Sequence, residues 1–414
     1  LMSGLMIKMG IFGIMLTLLV VGFPSVWIAY LVLGLGVVSA LIGILYALAQ
    51  TDIKRIVAYS SVENMGIVLI GIGCGMLGMA YQAPVAACCG FGGALFHVFN
   101  HSLFKSLMFH NAGAVLQQTH TRDIEQLGGL AAGMPKTAGC GIIGALTVAA
   151  LPPGNGFAGE LVIYLGLLGC LKSGSGLLAG LAALTMMMLA LTGALAMIGF
   201  TRLAGMVFLG HPRSEAAARA TDPDWRLLAP MGLEAAGCLV TGLLAAPLLR
   251  LLRQPVELFV STGAVWDGVG NTLWWTVGIV TVMAGLMLAL ALVRRRLLRR
   301  HETVLRPTWG CGYDRISVRM QYSGVSYSLP LLRSVNRLFR NEIKEPEVTG
   351  LFPRPATFSY RPGDLFLMLL VRPVTESIRR GTGRFTWIQN GNMQAYLLYG
   401  IVFLVLVIGG VFIW

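Results

Sequence analysis

The stretch ALFHVFNHSLFKSLMFHNAG, residues 94–113, is apolar enough to lie in a bilayer, yet it places His97, His101 and Lys105 at intervals of four. Residues four apart stack on one face of an α-helix, so the three groups form a row about 12 Å long. An ionised side chain at the bilayer centre costs at least ~2.5–3.5 kcal/mol on insertion scales, and such residues concentrate where they have work to do. Two readings fit such a row: hydrogen-bonding glue between helices, or a path for protons through intervening water. Three groups in register favour the path.

The surrounding chain supports a membrane setting. Of 414 residues, 56% are hydrophobic and 12% charged, and the mean hydropathy is +0.75. A soluble chain of this length carries roughly twice that share of charge. Several apolar runs approach or exceed the ~20 residues that cross a bilayer. An outer-membrane barrel would instead show short alternating segments. The fold class expected is all-α: a polytopic transmembrane helical bundle of about nine crossings, one of them a broken helix. A C-terminal cytoplasmic or lateral segment and a final anchor helix follow. The spans are read at 3–22, 26–49, 55–82, 84–116, 134–173, 176–208, 228–250, 269–293 and 393–414. The span 84–116 exceeds a straight crossing at ~1.5 Å per residue, and Gly90, Gly92 and Gly93 are where it is expected to bend or tilt.

The span 134–173 contains LPPGNG, Leu151 to Gly156. Pro152, Pro153, Gly154 and Gly156 cannot continue an ordinary helix. Charge decides whether the segment crosses once or twice. If the side of Lys54 and Arg55 is cytoplasmic, a single crossing puts Arg202, Arg213, Arg219, Arg226 and the RRRLLRR run at 294–300 on that same side. The positive-inside rule therefore favours one crossing by a discontinuous helix, a device found at transporter sites.

The formal charge of +13 is uneven. Between Arg294 and Arg384 lie 18 of the 31 basic residues but only 7 of the 18 acidic ones. This is a topology signal and an anionic-lipid or acidic-partner surface, not a nucleic-acid interface. Within that region, GDLFLMLLVRPVTESIRR reads as an interfacial or lateral helix. TWGCGYD and FPRPATFSYRPGD carry turn residues without a catalytic constellation. The seven cysteines, Cys74, Cys88, Cys89, Cys140, Cys170, Cys238 and Cys311, form no CxxC. Their spacing suits neither a metal centre nor a disulfide framework, and all but Cys311 read as small apolar packing residues. The His97/His101 pair has no third ligand or carboxylate near it in sequence, so no metal is expected, and no redox cofactor is expected either. No cleavable signal peptide is evident in the opening run with Lys8.

Six ionisable residues fall within apolar segments: Lys8, Glu63, His97, His101, Lys105 and Glu160. Glu160, four residues after Gly156, is either a proton-loading carboxylate or a capping or ion-pair group. Lys8 is a deep ammonium or a snorkelling one. Glu63 is an entry-path acid or a partner for Lys54 or Arg55.

Three motifs in order, TDIKRIVAYSSVENMGIVLIGIG, LFHVFNHSLFKSLMFHNAGAV and LPPGNGFAGELVIYLGLL, resemble the antiporter-like subunits of complex I and the membrane-bound hydrogenases. In the tail, TWGCGYDRISVRMQYSGVSYSLPL and GNMQAYLLYG are similar to the branch comprising hydrogenase-4 component B and formate hydrogenlyase subunit 3. The resemblance implies pseudo-symmetric five-helix repeats. Residues 1–25 would be the last helix of an upstream repeat and 26–208 one complete repeat. Further transmembrane helices would occupy 209–296, a basic cytoplasmic or interfacial segment 297–392, and a C-terminal transmembrane helix 393–414. It also implies that Lys8 is the central lysine, that His97, His101 and Lys105 are the conduit, and that Glu160 stands where some relatives carry a lysine.

Members of that family have about seven more helices upstream, so the chain is expected to be N-terminally incomplete, or else half of the pump is supplied by another chain. The activity implied is proton translocation by a non-catalytic subunit of a [NiFe]-hydrogenase complex in a prokaryotic inner membrane, beside other membrane and hydrophilic subunits. The rival readings are an Mrp-type Na⁺/H⁺ antiporter subunit and a scaffold that only anchors a soluble redox enzyme.

Overall fold

The computed structural model describes residues 2–22, 25–299, 317–346, 349, 356–385, 391 and 393–413. Cys311, the TWGCGYD stretch and the beginning of FPRPATFSYRPGD lie outside the described residues. The chain divides into two compact units, Leu1–Val335 and Asn336–Trp414.

The first unit is a helical bundle. After a π-helical turn Met2–Met6 come α1 (Ile7–Val21), α2 (Val26–Ala49), α3 (Ile53–Ala80) and α4 (Pro84–Thr119). A short α5 (Leu130–Gly133) leads to α6 (Pro135–Val148) and α7 (Asn155–Leu171), then α8 (Gly176–Phe208) and α9 (Glu215–Arg219). The remainder is α10 (Trp225–Leu243), α11 (Ala245–Leu251), α12 (Arg253–Glu257), α13 (Gly263–Leu298) and α14 (Gly324–Ser334). The second unit holds α15 (Asn336–Phe339), a two-stranded antiparallel ladder of β1 (Glu342–Lys344) and β2 (Ser359–Arg361), α16 (Arg372–Gly383) and α17 (Met393–Ile413). Six described helices are long and apolar enough to cross a membrane, and the bent pair α10–α11 makes a seventh. The expected nine also counted α4 and the broken pair α6–α7. Histidines, asparagines and Lys105 lower the apolarity of α4, and each half of the broken pair is short.

Local chemistry sets the ends. Asp52 caps α3 by accepting from the Lys54 and Arg55 amides at 2.8 and 3.1 Å. Pro84 opens α4, where a missing N–H costs nothing, and His120 closes it in the left-handed conformation. One end of the bundle is laced together. Arg122 pairs with Asp52 at 3.3 Å, and the Gly129 amide donates to the Leu209 carbonyl. The buried Arg202 guanidinium donates to the Leu48 and Gln50 carbonyls and to Ser328 Oγ. The Glu125 carboxylate accepts from the Val325 amide at 2.8 Å, which docks α14 to the same end.

The broken helix crosses once. Beside α4, Gly141 packs on Asn111 and Gly144 on Met108; after the break Gly159 packs on His97, Gly166 on Gly90 and Gly169 on Ala86. Both halves thus run antiparallel to α4, from the Lys54 end to the far end. Had α6 continued without interruption at the register of Gly144 on Met108, Gly159 would have fallen beside Gly93. The interruption spans Ala149–Gly154 and takes up that difference. Gly156 lies in the first turn of α7, pressed on the Thr147 carbonyl, rather than in the break itself.

One expectation needs correction. The span 228–250 is not one straight helix: α10 and α11 meet at Leu244 at 87°. Pro247 has no N–H to give the Leu243 carbonyl, so α10 cannot run on through it. Gly242 at the bend presses against the Pro153 carbonyl, setting the bend against the broken helix. Gly90, Gly92 and Gly93 sit in an uninterrupted helix and are closely packed. A Cβ on Gly90 would stand 2.3 Å from the Gly75 amide nitrogen of α3. Such backbone-to-backbone approach is how membrane helices associate without a hydrophobic driving force.

Outside the membrane, Asp222 holds the start of α6, accepting from the Lys136 amide at 3.1 Å, the Thr137 amide at 3.0 Å and the Thr137 hydroxyl at 2.7 Å. Burial pushes its carboxyl up, but those hydrogen bonds and the Lys136 charge outweigh it and hold the group below its ordinary value. The depressed value means that this tie is intact at neutral pH and lost only as pH falls through the folded-state value. Asp222→Ala is therefore expected to loosen the 209–224 loop at neutral pH, read as faster trypsin cleavage at Arg213 and Arg219. Gly90→Val is expected to cost about 3 kcal/mol or more by overpacking, read as a lowered unfolding temperature in detergent.

Candidate functional site

The row foreseen on α4 is buried. His97, His101 and Lys105 are 1%, 0% and 0% exposed, Glu63 on α3 is 2% exposed, and Glu160 on α7 is 9% exposed. The half-buried Lys8, in the first turn of α1, joins them: its Nζ lies 2.7 Å from His101 Nδ1 and also donates to the Ser3 carbonyl. Ser3 Oγ in turn meets Ser61 Oγ of α3 at 2.6 Å.

Hydrogen-bond logic fixes the tautomers. Asn64 Nδ2 donates to the Ser60 carbonyl at 2.8 Å, so Asn64 Oδ1 faces His97 and accepts from its Nε2 at 3.0 Å. His97 therefore carries its proton on Nε2 and keeps Nδ1 as an acceptor. An ammonium on Lys8 donates to His101 Nδ1, so the His101 proton sits on Nε2. His97 Nδ1 and His101 Nε2 are both buried without a hydrogen-bond partner in the protein. A free acceptor and a free donor are thus one helical turn apart. The Phe104 ring stands edge-on to both imidazoles, at 6.0 and 5.2 Å between centroids.

Lys105 Nζ donates to Ser60 Oγ and, at 3.4 Å, to the Val57 carbonyl. Its charge also lies 5.8 Å from the centre of the Phe200 ring, within cation–π range. Glu63 is close enough to interact electrostatically with both Lys105 and Glu160, and its Oε2 has no protein partner. Glu63 Oε2 has no hydrogen-bond partner, from Lys54, Arg55 or elsewhere in the protein.

Glu160 follows Gly159, whose missing side chain lets α7 reach His97: a Cβ there would lie 2.7 Å from His97 Nδ1. Glu160 lines a cavity of about 270 Å³ together with Ala150 and Leu151 of the break, Tyr164, and Gly193 of α8. Beside it, Asn155 opens α7 and bridges three elements. Its carbonyl accepts from Asn100 Nδ2 of α4 at 2.9 Å, and its Nδ2 donates to Thr241 Oγ1 of α10 at 2.9 Å. Ser60, Asn64, Asn100 and Asn155 were not singled out from sequence. The signal was there: Ser60, Ser61, Glu63 and Asn64 crowd five positions of an otherwise apolar helix.

Among the described residues no three His, Cys, Asp or Glu side chains are placed to hold a metal ion. Of these groups Lys8 and His101 are hydrogen-bonded to each other, while His97 and Lys105 are held by Asn64 and Ser60 of α3.

A family model described as "NADH:quinone oxidoreductase/Mrp antiporter, TM" matches residues 1–189. Hydrogenase-4 component B of Escherichia coli is 34% identical over 425 residues, covering 99% of this chain and 63% of that protein. Formate hydrogenlyase subunit 3 of the same organism is 40% identical over 258 residues, covering 62% of this chain and 42% of that protein. The chain therefore spans less than two thirds of the length of either relative. Among solved structures, the membrane-bound sulfane sulfur reductase, an archaeal respiratory membrane complex, contains a chain of the same fold, with a TM-score of 0.57. It is 20% identical, over 92% of this chain and 56% of that one.

Thr241→Val removes the acceptor of Asn155 Nδ2 at the junction of the broken helix and the α10 bend. The expected loss is about 1–3 kcal/mol, the cost of a buried donor left unpaired, measured as a drop in the detergent unfolding temperature. An isosteric exchange at exposed Thr281, on α13, is expected to leave it unchanged.

Proposed function

We propose that the chain, whose residues 1–189 match the NADH:quinone oxidoreductase/Mrp antiporter transmembrane family model, is the proton-translocating, antiporter-like subunit of a hydrogenase-4/formate hydrogenlyase-type [NiFe]-hydrogenase complex. The observation that carries the reading is the Lys8–His101 hydrogen bond at 2.7 Å, which joins two ionisable groups from separate helices inside the apolar bundle. A snorkelling Lys8 would turn to the membrane surface; this one turns inward.

In this reading protons pass among Lys8, His101, Lys105, His97, Glu63 and Glu160. The His101 Nε2–H donates through water toward His97 Nδ1, and His97 rotates or re-protonates to reset. Lys105, held by the Ser60 hydroxyl and the Val57 carbonyl of α3, exchanges protons with Glu63. Glu160, beside the break and its cavity, is the terminal exchange site. Pro152, Pro153 and Gly154 open the backbone there, and Gly156 seats α7 close to Thr147. Redox chemistry belongs to partner subunits, and no cofactor is assigned to this chain. The residue blocks 1–25, 26–208, 209–296, 297–392 and 393–414 are retained as the proposed repeat organisation. The proposed location is the inner membrane of a prokaryote, with the 297–392 block on the cytoplasmic side against anionic lipid and hydrophilic subunits.

The test is Lys105→Met in the assembled complex. Turnover-driven proton movement in vesicles should fall about 100-fold or more, the usual scale for losing a proton-transfer group. Hydrogenase activity with a soluble dye should persist. Unchanged proton movement would contradict the proposal, and joint loss of assembly and both activities would favour a scaffold. Sodium-dependent pH changes without any redox partner would instead favour the Mrp-type reading.

A further inference from the structure

Two cysteines that the proton path does not use lie in contact. Cys74, on α3, and Cys170, in the last turn of α7, have their Sγ atoms 3.7 Å apart. Both residues are buried, and both are free thiols. They are 96 residues apart in sequence and on different helices, so their meeting is a product of the fold. Gly166, one turn before Cys170, makes it possible: a Cβ there would stand 3.2 Å from Cys74 Sγ. The neighbouring Cys88 is turned elsewhere, toward the Ser261 carbonyl at 3.7 Å.

A disulfide needs sulfurs about 2.05 Å apart, so the pair has about 1.7 Å to close, within reach of side-chain rotation at two flexible thiols. Access comes from the far end of the bundle. Cys170 is the penultimate residue of α7. Gly169, Lys172 and Ser173, close to Cys170 in sequence, line a cavity of about 600 Å³ with Gln82 and Thr272. A small neutral oxidant has to reach the buried Cys170 from that cavity.

We propose that Cys74 and Cys170 form a redox-modification site, a dithiol that a hydroperoxide converts into a disulfide tying α7 to α3. The Cys170 sulfur attacks one peroxide oxygen. The O–O bond breaks, water leaves (as alcohol for an organic peroxide), and Cys170 becomes a sulfenic acid. The Cys74 sulfur then attacks the Cys170 sulfur, the S–O bond breaks, a second water leaves with the Cys74 proton, and the S–S bond forms. The two sulfurs together lose two electrons and the peroxide gains them. The bond covalently joins the half-helix bearing Glu160 to the helix bearing Glu63. The chemistry is independent of the proposed proton path.

The experiment uses the full-length protein in native membrane vesicles, with hydrogen peroxide as the probe. Vesicles are treated, denatured and labelled with a maleimide–polyethylene glycol that adds one mass step per free thiol. Two labelling steps should disappear relative to untreated vesicles and return after dithiothreitol, and mass spectrometry of the digest should give one peptide joining Cys74 to Cys170. Cys89→Ala should retain that peptide and Cys170→Ala should lose it. The wild-type digest decides the matter even if a variant misfolds. An unchanged number of labelling steps after peroxide, or a reversible cross-link between other cysteines, would overturn the assignment.

Discussion

Everything in this bundle follows from the cost of placing ionisable side chains in hydrocarbon. Lys105, His101, His97 and Glu63 have almost no exposed surface, and a lone charge there would be expensive. The structure meets the cost by bringing partners from different helices: Ser60 and the Val57 carbonyl for Lys105, Asn64 for His97, Lys8 for His101. Side chains that reach one another this closely require backbones that do so first. The Gly75–Gly90 contact joins α3 to α4, and Gly43, whose Cβ would stand 2.4 Å from the Glu63 amide, lets α2 close over Glu63. Small residues at the helix faces and titratable residues in the interior are two expressions of one constraint.

The broken helix solves a registration problem. Continued at the α6 register, α7 would meet α4 four residues too far along, and Glu160 would sit beside Gly93 and its neighbours. The six residues Ala149–Gly154 absorb the offset, so that Gly159 meets His97 and Glu160 follows it. The same interruption creates the cavity beside Glu160, and Asn155 ties its edge to α4 and α10. The break therefore both aligns the carboxylate and opens the space around it.

Much of this was legible in the chain. The i, i+4 spacing of His97, His101 and Lys105 fixes them on one helix face whatever surrounds them. Pro152, Pro153 and Gly154 forbid a continuous helix, and the distribution of arginines chooses a single crossing. The Lys8–His101 bond was not legible, because it joins residues 93 apart and depends on how α1 lies against α4. The α10–α11 bend was missed although Pro247 announces it, since apolarity runs unbroken through the turn. The close packing at the glycines of α4 was not legible, because a sequence shows the missing Cβ but not the backbone that comes to occupy its place.

The claim that protons pass through these groups is tested most directly by infrared difference spectroscopy of the assembled complex during turnover, with carboxyl bands assigned by Glu63→Gln and Glu160→Gln. Proton passage requires carboxylic-acid bands from Glu160 and Glu63 that rise and fall in step with turnover. Carboxyl bands that stay constant while protons are moved would contradict it.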